Sequence, residues 1–336
     1  MADYHPIDIT VYPPLFQQFA TYKTVIQGRS PATLEDYLSD LKLFFRVYKM
    51  LKFTPGVPLD EISIDDIDAA FLAGVTKTDV YMVFNWLVSE RGNKTSARAR
   101  KLSALKSFYK YLTVTEHILD INPVRDIDAP KQAQRLPKYL TLEESVILLE
   151  TIAADTDSAT RERDYAMVTL FLNCGMRLSE LVGISLTDID AEMRSLRVIG
   201  KGNKERVIYL NDACRDALKA YLPVRAATAE HLGQEHKNAL FLSTRRNQRI
   251  SQKTVQFVVK KYLDAAGLGN RKLSTHKLRH TAATLMYQQG GVDVRVLKDI
   301  LGHEQLNTTQ IYTHVSDESM RAAADANPLA KIKAGK

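Results

Sequence analysis

The residues best suited to chemistry lie near the C-terminus, between His276 and Tyr312. On a helix, His276 and Arg279 would share a face because they are three positions apart. His303 follows in a Leu-Gly-His sequence, before Tyr312. A guanidinium, two imidazoles and a phenol can bind a phosphodiester, disperse its developing charge and attack its phosphorus. The stretch therefore predicts phosphoryl transfer with a tyrosine nucleophile.

A zinc site is the competing interpretation of His276 and His280, and a single histidine on a helix is more often structural. The metalloprotease pattern with this spacing needs a glutamate directly after the first histidine, where this chain has Lys277. No pair of carboxylates for a metal ion accompanies the set. We therefore expect no metal ion here.

Two short helices would position these residues. Ser274 or Thr275 can cap the first, and Gly290 can end it. The second would follow Asp293 and end at Gly302, directly before the second histidine of the set.

An Arg-x-x-Glu sequence, Arg177 to Glu180, lies upstream, after a helix predicted from about Ala159 to Asn173. Alone, this pattern would more often be an ion pair on a helix surface. A carboxylate beside an arginine can, however, orient its guanidinium toward a phosphate.

A β-hairpin is predicted between Ser195 and Leu210, because two β-prone runs flank a turn that contains glycine and asparagine. Lys201 and Lys204 both lie on this turn. Either amine could act as a proton donor on spacing alone.

The ordered set His276-x-x-Arg279, Leu301-Gly302-His303 and Tyr312 resembles the C-terminal signature of the tyrosine recombinase (phage integrase) family. The signature spans 37 positions, from 276 to 312. The resemblance implies that Arg177 is the first active-site arginine and Glu180 its acidic companion. It also favours Lys201, in Gly-Lys-Gly, over Lys204 as the donor to the leaving oxygen.

The resemblance implies a reaction in which Tyr312 attacks a backbone phosphate, forms a 3′-phosphotyrosyl link and releases a 5′ hydroxyl. His276 would assist proton movement at the nucleophile. Three side chains would stabilise the charged phosphorane: Arg177, Arg279 and His303. A partner strand then attacks the link, and exchange passes through a Holliday junction. Because the link retains the phosphodiester energy, no nucleotide cofactor and no metal ion is expected.

The chain has 336 residues, which suggests two domains. The predicted fold is mainly α, with a small β-hairpin in the catalytic domain. We expect an N-terminal helical, SAM-like core-binding domain over residues 1–128, a proline-broken linker over 129–137 and the catalytic domain over 138–336. N-terminal helices are predicted over about 15–27, from Pro31, from Ser63, over 78–88 and over 96–112. The resemblance implies a C-shaped clamp around double-stranded DNA.

Basic segments in both halves are candidates for DNA contact, and the formal net charge of +7 favours a polyanionic partner. The helix over 96–112 carries four candidate phosphate contacts: Arg98, Arg100, Lys101 and Lys106. The alternative is a solvated face of a packing helix. In the second half, a basic run leads into a helix from about Gln252 to Ala266, which family architecture would place in a major groove. Its candidates are Arg246, Arg249 and Lys253.

Cys174 and Cys214 lie among apolar residues and are predicted to be buried thiols. The N-terminus lacks the pattern of a secretory signal, and no run of 18 apolar residues occurs. We therefore expect a cytoplasmic protein.

The sequence predicts a last helix over 317–326, followed by an Asn-Pro-Leu at 327–329 that is similar to Xer-type tails. The resemblance implies that this helix docks on a neighbouring protomer. The resemblance thus implies a tetramer on DNA at a specific recombination site, of one chain or with a paralogue. A DNA translocase or another accessory factor is a candidate further partner.

Several roles stay open on the sequence. Chromosome dimer resolution of the Xer kind competes with integration of a mobile element or inversion of a DNA segment. A type IB topoisomerase has a similar active site, but His276 and the Xer-like tail weigh against it. A DNA-binding regulator without activity would not need the complete catalytic set, and a purely structural helical protein would not explain it.

Overall fold

The computed structural model describes residues 8–130, 138–200, 204–229, 232–244, 248–288 and 290–302. These residues are mainly helical with short antiparallel strand pairs, which confirms the predicted fold class. The chain divides into two compact units, residues 1–134 and 135–336. Within the described ranges, no helix is long and apolar enough to cross a membrane.

The described residues of the first unit form five α-helices and shorter helical turns. The α-helices are α1 (Pro14–Thr21), α2 (Pro31–Lys52), α3 (Ala69–Ala73), α4 (Lys77–Ser89) and α5 (Thr95–Lys110). Short π-helical turns prolong α1 over Tyr22–Ile26 and α5 over Tyr111–Thr115. Aromatic rings form the centre of the core: Phe108 lies 4.8 Å from Phe16 and 5.2 Å from Phe19, measured between ring centroids. Offset and edge-to-face aromatic pairs of this kind stabilise a core beyond their buried area.

The prediction that a helix begins at Ser63 is wrong. The Ser63 hydroxyl accepts the backbone N–H of Asp65 at 3.0 Å and donates to its carboxylate at 2.7 Å, which holds a turn. Such local bonds compete with helix formation. The helix instead begins at Ala69, where the Asp68 carboxylate caps it by accepting the N–H of Phe71 at 2.8 Å.

The second unit combines helices with two small strand pairs. Its helices are α6 (Leu142–Ala153), α7 (Arg161–Cys174), α8 (Leu178–Gly183), α9 (Asp212–Ala229), α10 (Gln252–Ala265), α11 (Thr275–Gln288) and α12 (Val294–Leu301). Its strands are β1 (Ser195–Ile199), β2 (Glu205–Tyr209), β3 (Leu242–Ser243) and β4 (Gln248–Arg249). The predicted hairpin is confirmed: β1 pairs antiparallel with β2, and Ser195 lies opposite Tyr209.

Helix α7 is the centre of this unit and packs against α6, α9 and α11. Its residues from Ala166 to Phe171 are all buried, so no face of the helix is left to solvent. The two cysteines are buried as predicted, and their Sγ atoms lie 3.7 Å apart between α7 and α9.

Gly175 makes the sharp connection between α7 and α8. It has a φ of +58°, a left-handed conformation that side-chain-bearing residues adopt at a cost. A Cβ atom here would lie 2.9 Å from the Leu301 Cδ2 atom and 3.5 Å from the Ala282 Cβ atom. Glycine therefore allows α11 and α12 to pack directly on the turn that leads to Arg177.

Gly175→Ala should lower the free energy of unfolding of the second unit by about 2 to 4 kcal/mol, because left-handed strain and overpacking add. Gly267→Ala is the matched control, since Gly267 has a φ of +74° with no atom within 4 Å of the added Cβ. We expect it to cost only about 1 to 2 kcal/mol. Urea unfolding followed by circular dichroism measures both changes, and equal costs would contradict the packing argument.

Candidate active site

Glu180 lies at the centre of the candidate site, and its side chain has no solvent exposure. One carboxylate oxygen, Oε1, accepts the Nη1 group of Arg177 at 2.7 Å. The other, Oε2, accepts the backbone N–H of Arg177 and the Nη2 group of Arg206, both at 2.7 Å. Arg279 Nη1 lies 4.0 Å from the same oxygen. One buried carboxylate thus gathers three guanidinium groups.

The charge state of Glu180 follows from these neighbours. Burial acts to raise the pKa of Glu180, but the charge of Arg206 and the hydrogen bonds from Arg177 outweigh it. The pKa of the carboxyl is therefore lowered from its ordinary value of 4.5. Glu180 is an ionised orienting group rather than a proton donor at neutral pH.

The same three arginines cap the C-terminal end of α12. The carbonyl oxygens of residues 300, 301 and 302 lie at the C-terminal end of this helix, which the helix dipole makes negative. Arg206 donates to the first at 2.5 Å, Arg279 to the second at 2.6 Å and Arg177 to the third at 2.7 Å. Each carbonyl thus receives a guanidinium from a different element: β2, α11 and the start of α8.

Arg279 is the most enclosed of the three, with 3% of its side chain exposed. Its Nη1 group also donates to the Gly175 carbonyl oxygen at 2.8 Å, which ties α11 to the turn before α8. The structure therefore brings Arg177, Glu180 and Arg279 together, although 102 positions separate the first from the last.

His276 lies one helical turn before Arg279, on an exposed part of α11. Its ring meets the His280 ring edge to face, with 4.5 Å between centroids. Partial desolvation and then the positive charges of Arg279, Lys277 and Arg177 lower the pKa of His276 from its ordinary value of 6.5. The imidazole is consequently neutral at pH 7 and able to accept a proton.

Three predicted catalytic residues, Lys201, His303 and Tyr312, lie outside the described residues, as does Arg246. The glycines that precede the first two are described. A Cβ atom on Gly200 would lie 3.3 Å from Glu180 Oε1, and one on Gly302 would lie 2.9 Å from Arg206 Nε.

Arg206 is a member of the cluster that sequence reasoning missed. Its side chain is 14% exposed, and it lies two residues before the buried Ile208 on β2. Strand alternation could have identified it, because residues two apart face the same side of a sheet. The pattern would have placed this arginine on the inner face of the hairpin.

The predicted DNA contacts of α5 differ in their surroundings. Lys101 is buried, and its Nζ lies 3.2 Å from Asp40, whose other oxygen lies 2.9 Å from Arg100 Nη1. Arg98 donates to the Thr95 hydroxyl at 3.3 Å. Lys106 instead lines a cavity of about 510 Å³ together with other basic residues, Lys110 and Arg125.

The candidates near α10 also differ. Arg249 donates through Nη1 to the carbonyl oxygens of Val182 and Ile184 at 2.9 and 2.7 Å, so it anchors β4 to the C-terminal end of α8. Lys253 is exposed in the first turn of α10 and borders a cavity of about 620 Å³. In the part of the chain that the structure describes, no cluster of three or more His, Cys, Asp or Glu residues could hold a metal ion.

Comparison with known proteins agrees with this architecture. Residues 138–319 match the phage integrase family, and residues 16–116 match the phage integrase N-terminal SAM-like domain. The chain is 49% identical over 322 residues to the tyrosine recombinase XerC of Caldanaerobacter subterraneus subsp. tengcongensis, covering 95% of this chain and 88% of that protein. It is 34% identical over 316 residues to the tyrosine recombinase XerC of Thermodesulfovibrio yellowstonii, covering 93% and 96%.

Solved structures show the same fold. The XerH recombinase bound to its difH substrate before cleavage has a TM-score of 0.64 at 22% identity, covering 93% of this chain and 94% of that one. A lambda integrase tetramer bound to a Holliday junction has a TM-score of 0.60 at 19% identity, covering 87% and 76%. The chain therefore belongs to the phage integrase family and is a tyrosine recombinase, an enzyme that cuts and rejoins DNA strands.

Proposed function

We propose that this protein is a site-specific recombinase of the Xer type that resolves chromosome dimers, with Tyr312 as its nucleophile. The observation that carries the proposal is the convergence of Arg177 and Arg279 around one buried carboxylate, at the end of the helix that precedes His303. The 49% identity to a tyrosine recombinase XerC supports the Xer type over integration or inversion of a mobile element.

The arginines would bind the scissile phosphate. A guanidinium has five N–H donors, and Arg177 uses one on Nη1 for Glu180 and one on Nη2 for Gly302. Its side chain is 31% exposed, so further donors can face a phosphate while the described bonds hold the group in place. Pre-oriented donors stabilise a phosphorane without reorganising during the reaction.

Proton transfer would use groups on either side of this phosphate. Neutral His276 would accept the proton of Tyr312, whose phenol ordinarily titrates near ~10. Lys201 would protonate the leaving 5′ oxygen. In support, Gly200 closes the hairpin turn by donating its N–H to the Lys204 carbonyl oxygen at 2.8 Å and packs beside Glu180. Lys204 remains the rival donor.

Two domains would close on the duplex: residues 1–128 and 138–336, joined by a linker over 129–137. Lys106 and Lys253 are the strongest candidates for phosphate contacts among the described residues, with Arg98 and the partly exposed Arg100 as further ones. Lys101 and Arg249 already bond to internal groups, so we assign them a mainly structural role.

We propose assembly as a tetramer on DNA, of identical chains or with a paralogue, through the segment after Val315. The lambda integrase tetramer on a Holliday junction supports this arrangement by its shared fold. A DNA translocase or another accessory factor would be the further partner.

Tyr312→Phe should abolish the covalent protein–DNA adduct on a nicked suicide substrate while DNA affinity stays within about twofold of wild type, because only the nucleophilic oxygen is lost. Denaturing electrophoresis detects the adduct, and sequencing DNA trapped on the wild-type protein identifies the target site. Continued cleavage by the Phe variant would contradict the proposal.

The pH profile of the cleavage rate should show an acidic limb that reflects protonation of His276. Because the pKa of His276 is lowered in the folded protein, its imidazole stays neutral below pH 6.5 and becomes protonated as the pH falls further. Single-turnover cleavage at sub-saturating DNA should therefore decline only below 6.5. His276→Asn should remove the limb, and His236→Asn should retain it. A limb that survives in the first variant would exclude this role.

Lys106→Ala should flatten the dependence of the logarithm of affinity on the logarithm of salt concentration by about 1, because one phosphate contact is lost. Lys77→Ala, which removes an exposed lysine from the start of α4, is the control and should leave the slope unchanged. Titration of DNA at several salt concentrations measures both. Identical slopes in the two variants would argue against a phosphate contact at Lys106.

A further inference from the structure

Arg206 joins three elements of the second unit. Its Nη2 group donates to Glu180 Oε2 at 2.7 Å, and its Nη1 group donates to the Ile300 carbonyl oxygen at 2.5 Å. It therefore links the hairpin to α8 and to the end of α12. We propose that Arg206 is a positioning residue that fixes the base of the hairpin against the end of α12 and thereby supports proton donation by Lys201 to the leaving oxygen. This inference rests on the proposed function and deepens it.

The backbone on both sides of Arg206 is tightly packed. A Cβ atom on Gly302 would lie 2.9 Å from Arg206 Nε and 3.0 Å from its Cδ. On the hairpin side, a Cβ atom on Gly200 would lie 3.3 Å from Glu180 Oε1 and 3.6 Å from Arg177 Nη1. The residues directly before Lys201 and His303 thus both contact the network that Arg206 completes.

The hairpin carries this constraint to its turn. Arg206 lies opposite Val198 in the strand register, and the turn closes through the bond from Gly200 to Lys204. These bonds couple the two strands as far as Gly200 and Lys204. A shift of Arg206 on β2 would therefore displace the turn relative to Glu180 and α12.

Arginine suits this position because the two Nη groups of its planar guanidinium can donate to a carboxylate and a carbonyl oxygen at the same time. Lysine would keep the charge but offers a single nitrogen. Glutamine would be neutral and shorter. Loss of the guanidinium would leave Glu180 with one fewer cation and the Ile300 carbonyl oxygen without this donor, so β2 would no longer be bonded to the end of α12.

The test uses two nicked suicide substrates, one with the natural leaving 5′ oxygen and one with sulfur in its place. A thiolate leaves without protonation, so cleavage of the sulfur substrate does not need the general acid. Arg206→Gln should slow single-turnover cleavage of the oxygen substrate by about 100-fold, which lies within the range for general acid catalysis. On the sulfur substrate, the cleavage rate of Arg206→Gln should stay within about threefold of wild type.

Arg197→Gln is the matched control, because Arg197 belongs to the same hairpin but faces solvent, 3.4 Å from Asp188 and 3.7 Å from Glu205. It should stay within about twofold of wild type on both substrates. On the oxygen substrate, the cleavage rate of Arg206→Lys should lie between those of wild type and Arg206→Gln. On the sulfur substrate, its rate should return to that of wild type. If Arg206→Gln fails to fold by circular dichroism, the lysine variant makes the same comparison.

Equal slowing of a folded Arg206 variant on both substrates would overturn the inference, since the defect would not act through the proton donor. A wild-type rate on both substrates would overturn it as well. The wild-type protein separates this inference from the proposed function. If it forms no covalent adduct with either substrate, the proposed function fails, and this inference fails with it.

Discussion

The ion pairs of the buried Glu180 carboxylate are the interaction on which the catalytic unit depends. A carboxylate without solvent exposure is costly unless cations and hydrogen bonds compensate it. Here Arg177 and Arg206 bond to it directly, and Arg279 lies 4.0 Å away. Removal of the acid would leave three guanidinium groups close together without their counter-charge, so the carboxylate determines where the arginines can lie.

This arrangement also explains why α12 ends where it does. Its last carbonyl oxygens, at residues 300–302, are bound one by one by the three arginines, so the C-terminal end of the helix is fixed against α8, β2 and α11. Segments far apart in sequence become one rigid group of donors. A rigid cationic group suits phosphoryl transfer, because donors already in place stabilise developing charge without reorganising.

Sequence reasoning identified features that depend on local pattern or on the family signature. They are the hairpin over 195–210, the helices over about 159–173 and 252–266, the two helices between Ser274 and Gly302, and the pairing of Arg177 with Glu180. It failed where tertiary contacts decide which way a side chain points. Nothing local shows that Lys101 turns inward to Asp40 rather than toward DNA. Arg206 was overlooked for a different reason: strand alternation places it on the same face as Ile208, but a charged strand residue was assumed to be exposed.

A double-mutant cycle between Glu180→Gln and Arg177→Lys, read as the single-turnover cleavage rate constant, tests most directly whether the carboxylate acts by orienting the arginine. Residues that work as a unit are strongly non-additive. If each substitution alone slows cleavage by about 100-fold, the account predicts that the double variant is only about as slow as the slower single variant. A double variant slowed by the product of the two effects, about 10,000-fold, would show that the residues act independently and would contradict the account.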